Sequence, residues 1–132
     1  MRPIPVGAKG TYTLRVAPGH LASQFKDAAL PEVFATPMMV TAMENAALNA
    51  VRAYLDPGES AVGTVVNVRH LAATPVGHQV TATAEVTKVD GRRIEFNVSA
   101  RDEMEEIGTG THERVVVDRA RLSQRLKAKK AG

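Results

Sequence analysis

The chain has 132 residues, 44% hydrophobic and 23% charged, with no cysteine, no tryptophan and a net charge of +3. That length fits one globular domain spanning 1–132, and the composition excludes disulfides, thiolate metal sites, iron–sulfur clusters and a cysteine nucleophile. No apolar run reaches the ~20 residues of a membrane helix and the first seven residues lack a signal-peptide core, so a cytoplasmic protein with no membrane partner is expected.

The charge excess is local. Residues 118–132 hold six basic side chains and one acid, while the rest of the chain is slightly acidic. This tail reads as a solvated basic helix, and no nucleic-acid partner is expected.

Lys9 to Val16 alternates weakly and predicts a first strand, ended by Pro18-Gly19. His20 to Phe34 reads as an irregular lead-in broken by Pro31. Thr36 as N-cap and Pro37 in the first turn open one long helix, Met38 to Leu55, closed by Asp56-Pro57-Gly58. Beyond it the chain is β-rich. Val62, Thr64, Val66, Val68 and His70 share one face of a strand, and Val80, Ala82, Ala84 and Val86 share a face of the next. Asp90-Gly91 signals a two-residue hairpin, after which Ile94, Phe96, Val98 and Ala100 continue the alternation. Glu105 to Val117 predicts a last strand, with Gly108 and Gly110 near a bulge. One helix on one face of about five mostly antiparallel strands is an α+β domain.

On a helical wheel Val40, Leu48, Val51 and Leu55 fall within about 40° of Glu44, which puts this carboxylate in the middle of the apolar face. A buried Glu is rare because desolvating its charge is costly, and burial raises its pKa toward a value useful in proton transfer or nucleophilic attack. His70 shares the strand face of Val66 and Val68, and beside a buried Glu it becomes a second candidate. Thr36 lies at the positive end of the helix dipole, about 12 Å along the axis from Glu44. Phosphate-loop, dinucleotide and nucleophile-elbow motifs are absent, and the four histidines lack metal-ligand spacing, so no metal site is expected.

These residues carry a resemblance. Pro31-Glu32-Val33-Phe34-Ala35 and Met43-Glu44 flank the helix start and middle, and Tyr54-Leu55 with Pro57-Gly58-Glu59 follow it. Then come His70 with Ala72-Ala73-Thr74-Pro75, Gly91-Arg92-Arg93, and Glu106-Ile107-Gly108 with Gly110-Thr111-His112-Glu113-Arg114. In these segments the chain resembles the fluoroacetyl-CoA thioesterase group of the hotdog-fold superfamily, in which an antiparallel sheet wraps a long central helix.

The resemblance implies hydrolysis of a short-chain acyl-CoA, with Thr36, Glu44 and His70 matching the family's catalytic threonine, glutamate and histidine. Glu44 would attack the thioester or activate water, Thr36 would position or polarise, and His70 would assist proton transfer. Backbone N–H groups near the helix start or Gly63 would hold the oxyanion. CoA enters as part of the substrate, with no separate cofactor. Leu30 stands where the fluoroacetyl-specific members carry an aromatic lid, with Phe25 and Phe34 nearby.

A homodimer joined near Gly63 and residues 62–71 is implied, with each site at the interface. Arg114 is the first candidate to hold the CoA phosphates or frame the site, ahead of Arg92, Arg93 and the tail. A hotdog hydratase or dehydratase and a non-catalytic acyl-CoA-binding module are the alternative readings.

Overall fold

The computed structural model describes residues 1–25 and 27–132, with Phe25 by its backbone alone. In chain order the elements are β1 (Lys9–Arg15), α1 (Ala22–Phe25), α2 (Thr36–Val51), β2 (Glu59–His70), β3 (Gln79–Asp90), β4 (Arg93–Arg101), β5 (Glu106–Asp118) and α3 (Arg119–Ala131). The strands form one antiparallel sheet in the order β1-β3-β4-β5-β2. Helix α2 is cradled on its concave face and packs on β1, β2, β3 and β4.

The two middle strands follow their alternation closely. Val80, Ala82, Ala84 and Val86 of β3 and Ile94, Phe96, Val98 and Ala100 of β4 are all buried, as a half-covered antiparallel sheet requires. The hairpin between them turns at Gly91-Arg92, one residue later than the Asp90-Gly91 signal, because Asp90 still pairs with Arg93. Gly91 takes φ 60°, the left-handed position such a turn demands. A register shift beside Gly108 matches the expected bulge, and a second lies at Thr64, between Gly63 and Val65 of β2.

The long helix is shorter than its pattern suggests, ending at Val51 with a 3-10 turn over Arg52–Tyr54. Its orientation is the larger correction. The buried residues of α2 are Met39, Ala42, Met43, Ala46, Ala47, Ala50 and Val51, a stripe centred about 110° away from Glu44 on the wheel. Alanines face the sheet because β1 crosses very close: a side chain at Gly10 would collide with the backbone of Ala46 and Ala50. Glu44, with half-buried Val40 and Leu48, is thereby turned to the margin that overlooks β2.

Strand β2 differs from its neighbours. It pairs only with β5, and every residue from 62 to 67 is exposed, Val62, Val65 and Val66 among them. An edge strand with a bare valine row is a template for pairing with another chain. Helix α3 follows β5 directly, capped by the Asp118 carboxylate, which accepts from the Ala120 and Arg121 N–H groups. None of its residues is buried.

Candidate active site

Thr36 is the first residue of α2, but Ala35 takes the extended cap conformation ahead of it. The Thr36 hydroxyl therefore caps no backbone N–H and is free for another partner. That partner is His70, the last residue of β2, with Oγ1 2.8 Å from Nδ1. The other ring nitrogen of His70, Nε2, is buried and has no hydrogen-bond partner among the described residues. Burial pushes the His70 pKa below its ordinary value, with contact to the Ala72 backbone opposing in part. The ring is neutral at pH 7, one nitrogen fixed by Thr36 and the other open for proton exchange. Beside it lies an open depression of about 300 Å³ walled by Val33, Phe34, Leu71 and Ala72.

Glu44 belongs to a separate cluster. Its Oε2 is 3.5 Å from Nη1 of Arg114, in a pair whose carboxylate side chain is 38% exposed and whose guanidinium is 9% exposed. Arg114 also donates from Nε and Nη2 to the Ala61 carbonyl, at 3.2 and 2.6 Å. Its Nη1 lies 3.2 Å from Nε2 of His112, whose Nδ1 is 2.7 Å from the Val65 carbonyl. A carbonyl only accepts, so His112 carries its proton on Nδ1 and receives the Arg114 hydrogen bond on Nε2. Burial, first of all, and the Arg114 charge lower the His112 pKa, against the Val65 hydrogen bond. The ring also stacks on Phe96, centroids 5.8 Å apart. Gly63 completes the cluster: a Cβ there would lie 2.6 Å from Glu44 Oε2.

Within one chain the three candidates split in two. Thr36 and His70 are in contact, whereas Glu44 follows Thr36 by eight residues of unbroken helix, about 12 Å along the axis. Gly63 and Arg114 fall with Glu44, paired with each other across β2 and β5. Arg114 is buried, with Nε and Nη2 on the Ala61 carbonyl and Nη1 between His112 and Glu44, so within this chain it frames the carboxylate, one of the two roles expected for it. His112 was not singled out by sequence reasoning, although its i, i+2 spacing from Arg114 on a strand puts both side chains on one face. At the lid position Leu30 is half-exposed and Phe34 is fully buried, and the Phe25 side chain lies outside the described residues. Phe34 belongs to the floor and wall of the depression as a core residue, and Leu30 brings no aromatic ring to the lid position.

The family model for fluoroacetyl-CoA-specific thioesterases matches residues 16–120. The fluoroacetyl-CoA thioesterase of Streptantibioticus cattleyicolor is 44% identical over 129 residues, 94% of this chain and 93% of that protein. The crystal structure of the fluoroacetyl-CoA thioesterase FlK superposes with a TM-score of 0.91 at 42% identity, covering 96% of this chain and 98% of that one. A hot-dog-like protein from Thermanaerovibrio acidaminovorans aligns at 0.87 and 29% identity over 98% of this chain and 95% of its own. The sheet-wrapped helix is thus a hotdog fold, as the resemblance implied.

Proposed function

The chain belongs to the fluoroacetyl-CoA-specific thioesterase family, and from that premise we propose that it hydrolyses a short-chain acyl-CoA with Thr36, Glu44 and His70 as the reacting groups, brought together in a homodimer. The observation that carries this reading is the placement of the two clusters. Thr36–His70 lies at one end of β2 and Gly63–Glu44–Arg114 toward the other, on a strand whose outer edge is unpaired. Two such edges pairing antiparallel about a centre between Val66 and Asn67 set Gly63 opposite the partner subunit's His70. The same pairing covers Val62, Val65 and Val66 and continues the sheet across both copies.

In that arrangement Glu44 of one copy and the Thr36–His70 pair of the other face a common thioester. The carboxylate either adds to the thioester carbon, expelling CoA thiolate and leaving an anhydride that water opens, or takes the proton from the water that adds. Either route yields one carboxylic acid and one CoA thiol per water consumed. In the first route His70 takes a proton from the water that opens the anhydride and passes it to the CoA thiolate; in the second it relays to the leaving sulfur the proton that Glu44 took from water, its ring oriented by Thr36. Gly63 leaves room for the Glu44 carboxylate, and backbone N–H groups beside Gly63 or at the start of α2 receive the oxyanion. No cofactor is required beyond the CoA of the substrate.

Leu30 in place of an aromatic lid favours a short acyl group in general over a fluorinated one in particular. No described helix is long and apolar enough to cross a membrane; a cytoplasmic reaction is the reading an acyl-CoA substrate supports. The test is CoA release from a panel of acetyl-, fluoroacetyl-, propionyl- and butyryl-CoA. Release that is fastest with the shortest acyl groups is expected. Water addition to an enoyl-CoA without CoA release would return the hydratase reading, and tight acyl-CoA binding without turnover the non-catalytic one.

A further inference from the structure

Arg114 faces Glu44 and Ala61, so the phosphates of the proposed substrate need other cations. A groove of about 550 Å³ runs between α3 and the end of β5, lined by Leu122, Leu126, Arg121, Arg125 and Lys129 of the helix and by Arg92 of the hairpin. The five helical residues share an arc of about 140°, so α3 turns its two leucines and three of its cations to one side. Leu122 and Leu126 remain 38% and 50% exposed, uncovered by the core. Arg121, Arg125 and Lys129 have no ion-pair partner among the described residues, whereas Arg92 approaches Glu59 at 3.4 Å. The one carboxylate in the lining, Asp118, is engaged as the helix cap.

We propose that this groove holds the nucleotide end of CoA, its 3′-phosphate and diphosphate on the α3 cations and its adenine against Leu122 and Leu126. The proposal rests on the acyl-CoA reading above and assigns that substrate a second point of attachment. Charge selects the occupant. A 3′-phosphomonoester alone carries a charge of about −2 near neutral pH, and guanidinium groups both pair with phosphate and stack on a flat base.

Position agrees with charge. Val116 and Val117 of the groove pair with Ala61 and Ser60 of β2, and Arg114 of the Glu44 cluster pairs with Gly63. Three residues of strand, about 10 Å, separate Val117 from Arg114, a distance within the reach of the pantetheine arm. A second copy is the poorer occupant. The β2 pairing proposed above brings the partner subunit's Leu71–Thr74 alongside this end, a segment without a carboxylate to match the cations.

The test compares Arg121→Gln, Arg125→Gln and Lys129→Gln, singly and combined, on surface positions that leave the core intact. The combined variant should raise KM for acyl-CoA by about tenfold with kcat unchanged. Kinetics with the same acyl group on pantetheine, which lacks the nucleotide, should not move. Calorimetry with adenosine 3′,5′-bisphosphate should show binding to the unaltered protein and about tenfold weaker binding to the variant.

Unchanged KM and bisphosphate affinity would overturn the assignment, as would an equal KM rise with acyl-pantetheine. A variant that changes only oligomeric mass, or loses only binding to duplex DNA or to anionic vesicles, would give the groove to another occupant and reject the nucleotide. Bisphosphate binding is measured without turnover. Binding without any CoA release would sink the hydrolase reading alone, and release without bisphosphate binding would sink the groove alone.

Discussion

The two ends of the candidate site are built on opposite plans. At the His70 end the Thr36 hydroxyl, 2.8 Å from Nδ1, is the side-chain partner of a half-buried ring whose Nε2 has no hydrogen-bond partner among the described residues. At the Glu44 end each nitrogen of Arg114 and both ring nitrogens of His112 have a partner, a backbone carbonyl or the next side chain, and the carboxylate is the most exposed side chain of the three. Under the proposed function, the difference separates groups that would exchange bonds during a reaction from groups that would hold still. A satisfied buried network is rigid because breaking any one bond exposes an unpaired polar group in a low-dielectric interior. An under-bonded nitrogen beside an open depression holds its capacity for a ligand.

The sharpest way to break this comparison is at the carboxylate. Glu44→Gln keeps the volume and removes both nucleophile and base, so kcat should fall by about 10²–10⁴ with the melting temperature retained. Unchanged kcat with a lowered melting temperature would make Glu44 a structural partner of Arg114.

Mixing subunits asks whether the two ends meet across the interface. Co-expressed Glu44→Gln and His70→Ala chains should each be inactive as pure dimers. Random mixed dimers then regain one intact site, about a quarter of full activity per total protein. No recovery would mean that both groups act within one chain.

Arg114→Ala should act differently from the α3 variants. It removes the donors to Ala61 and the partner of Glu44, so folding stability should drop by about 1–3 kcal/mol in urea titration. Turnover should fall equally with acyl-CoA and acyl-pantetheine, because the loss is in positioning the carboxylate. A KM effect confined to acyl-CoA would restore the phosphate role to Arg114.

The smallest expected effect is on stability against pH. Burial lowers the pKa of both His70 and His112 in the folded chain, so the unfolded chain binds protons first as pH falls. Their contribution is full above the unfolded value of about 6.5 and is lost as pH drops from there through the folded values. Urea midpoints should be level from pH 8 to 7 and decline toward pH 5.5. His112→Gln keeps a donor and an acceptor and should flatten part of that decline; a slope unchanged in this variant would remove His112 from the linkage.

Local pattern alone located most of what chain-neighbour physics controls. The alternation of β3 and β4, the glycine turn between them to within one residue and the start of α2 to within two follow from side-chain period and backbone freedom among chain neighbours. Thr36, Glu44 and His70 stand out as candidates through oddly placed polar groups and the family resemblance; Thr36 and His70 do meet, while Glu44 lies at the margin of the buried face and not in its middle.

The rotation of α2 was not legible. A wheel weighted by hydropathy points Val40, Leu48 and Glu44 at the sheet, yet Gly10 admits the helix so closely that only its alanine side fits. The fate of Arg114 depended on a bulge at Thr64 and on a strand pairing that links positions about 50 residues apart. Composition and period fix which elements form and which face of a strand is apolar. The depth at which two elements pack, the carbonyl a guanidinium meets and the edge left bare are settled only when distant segments compete for the same volume.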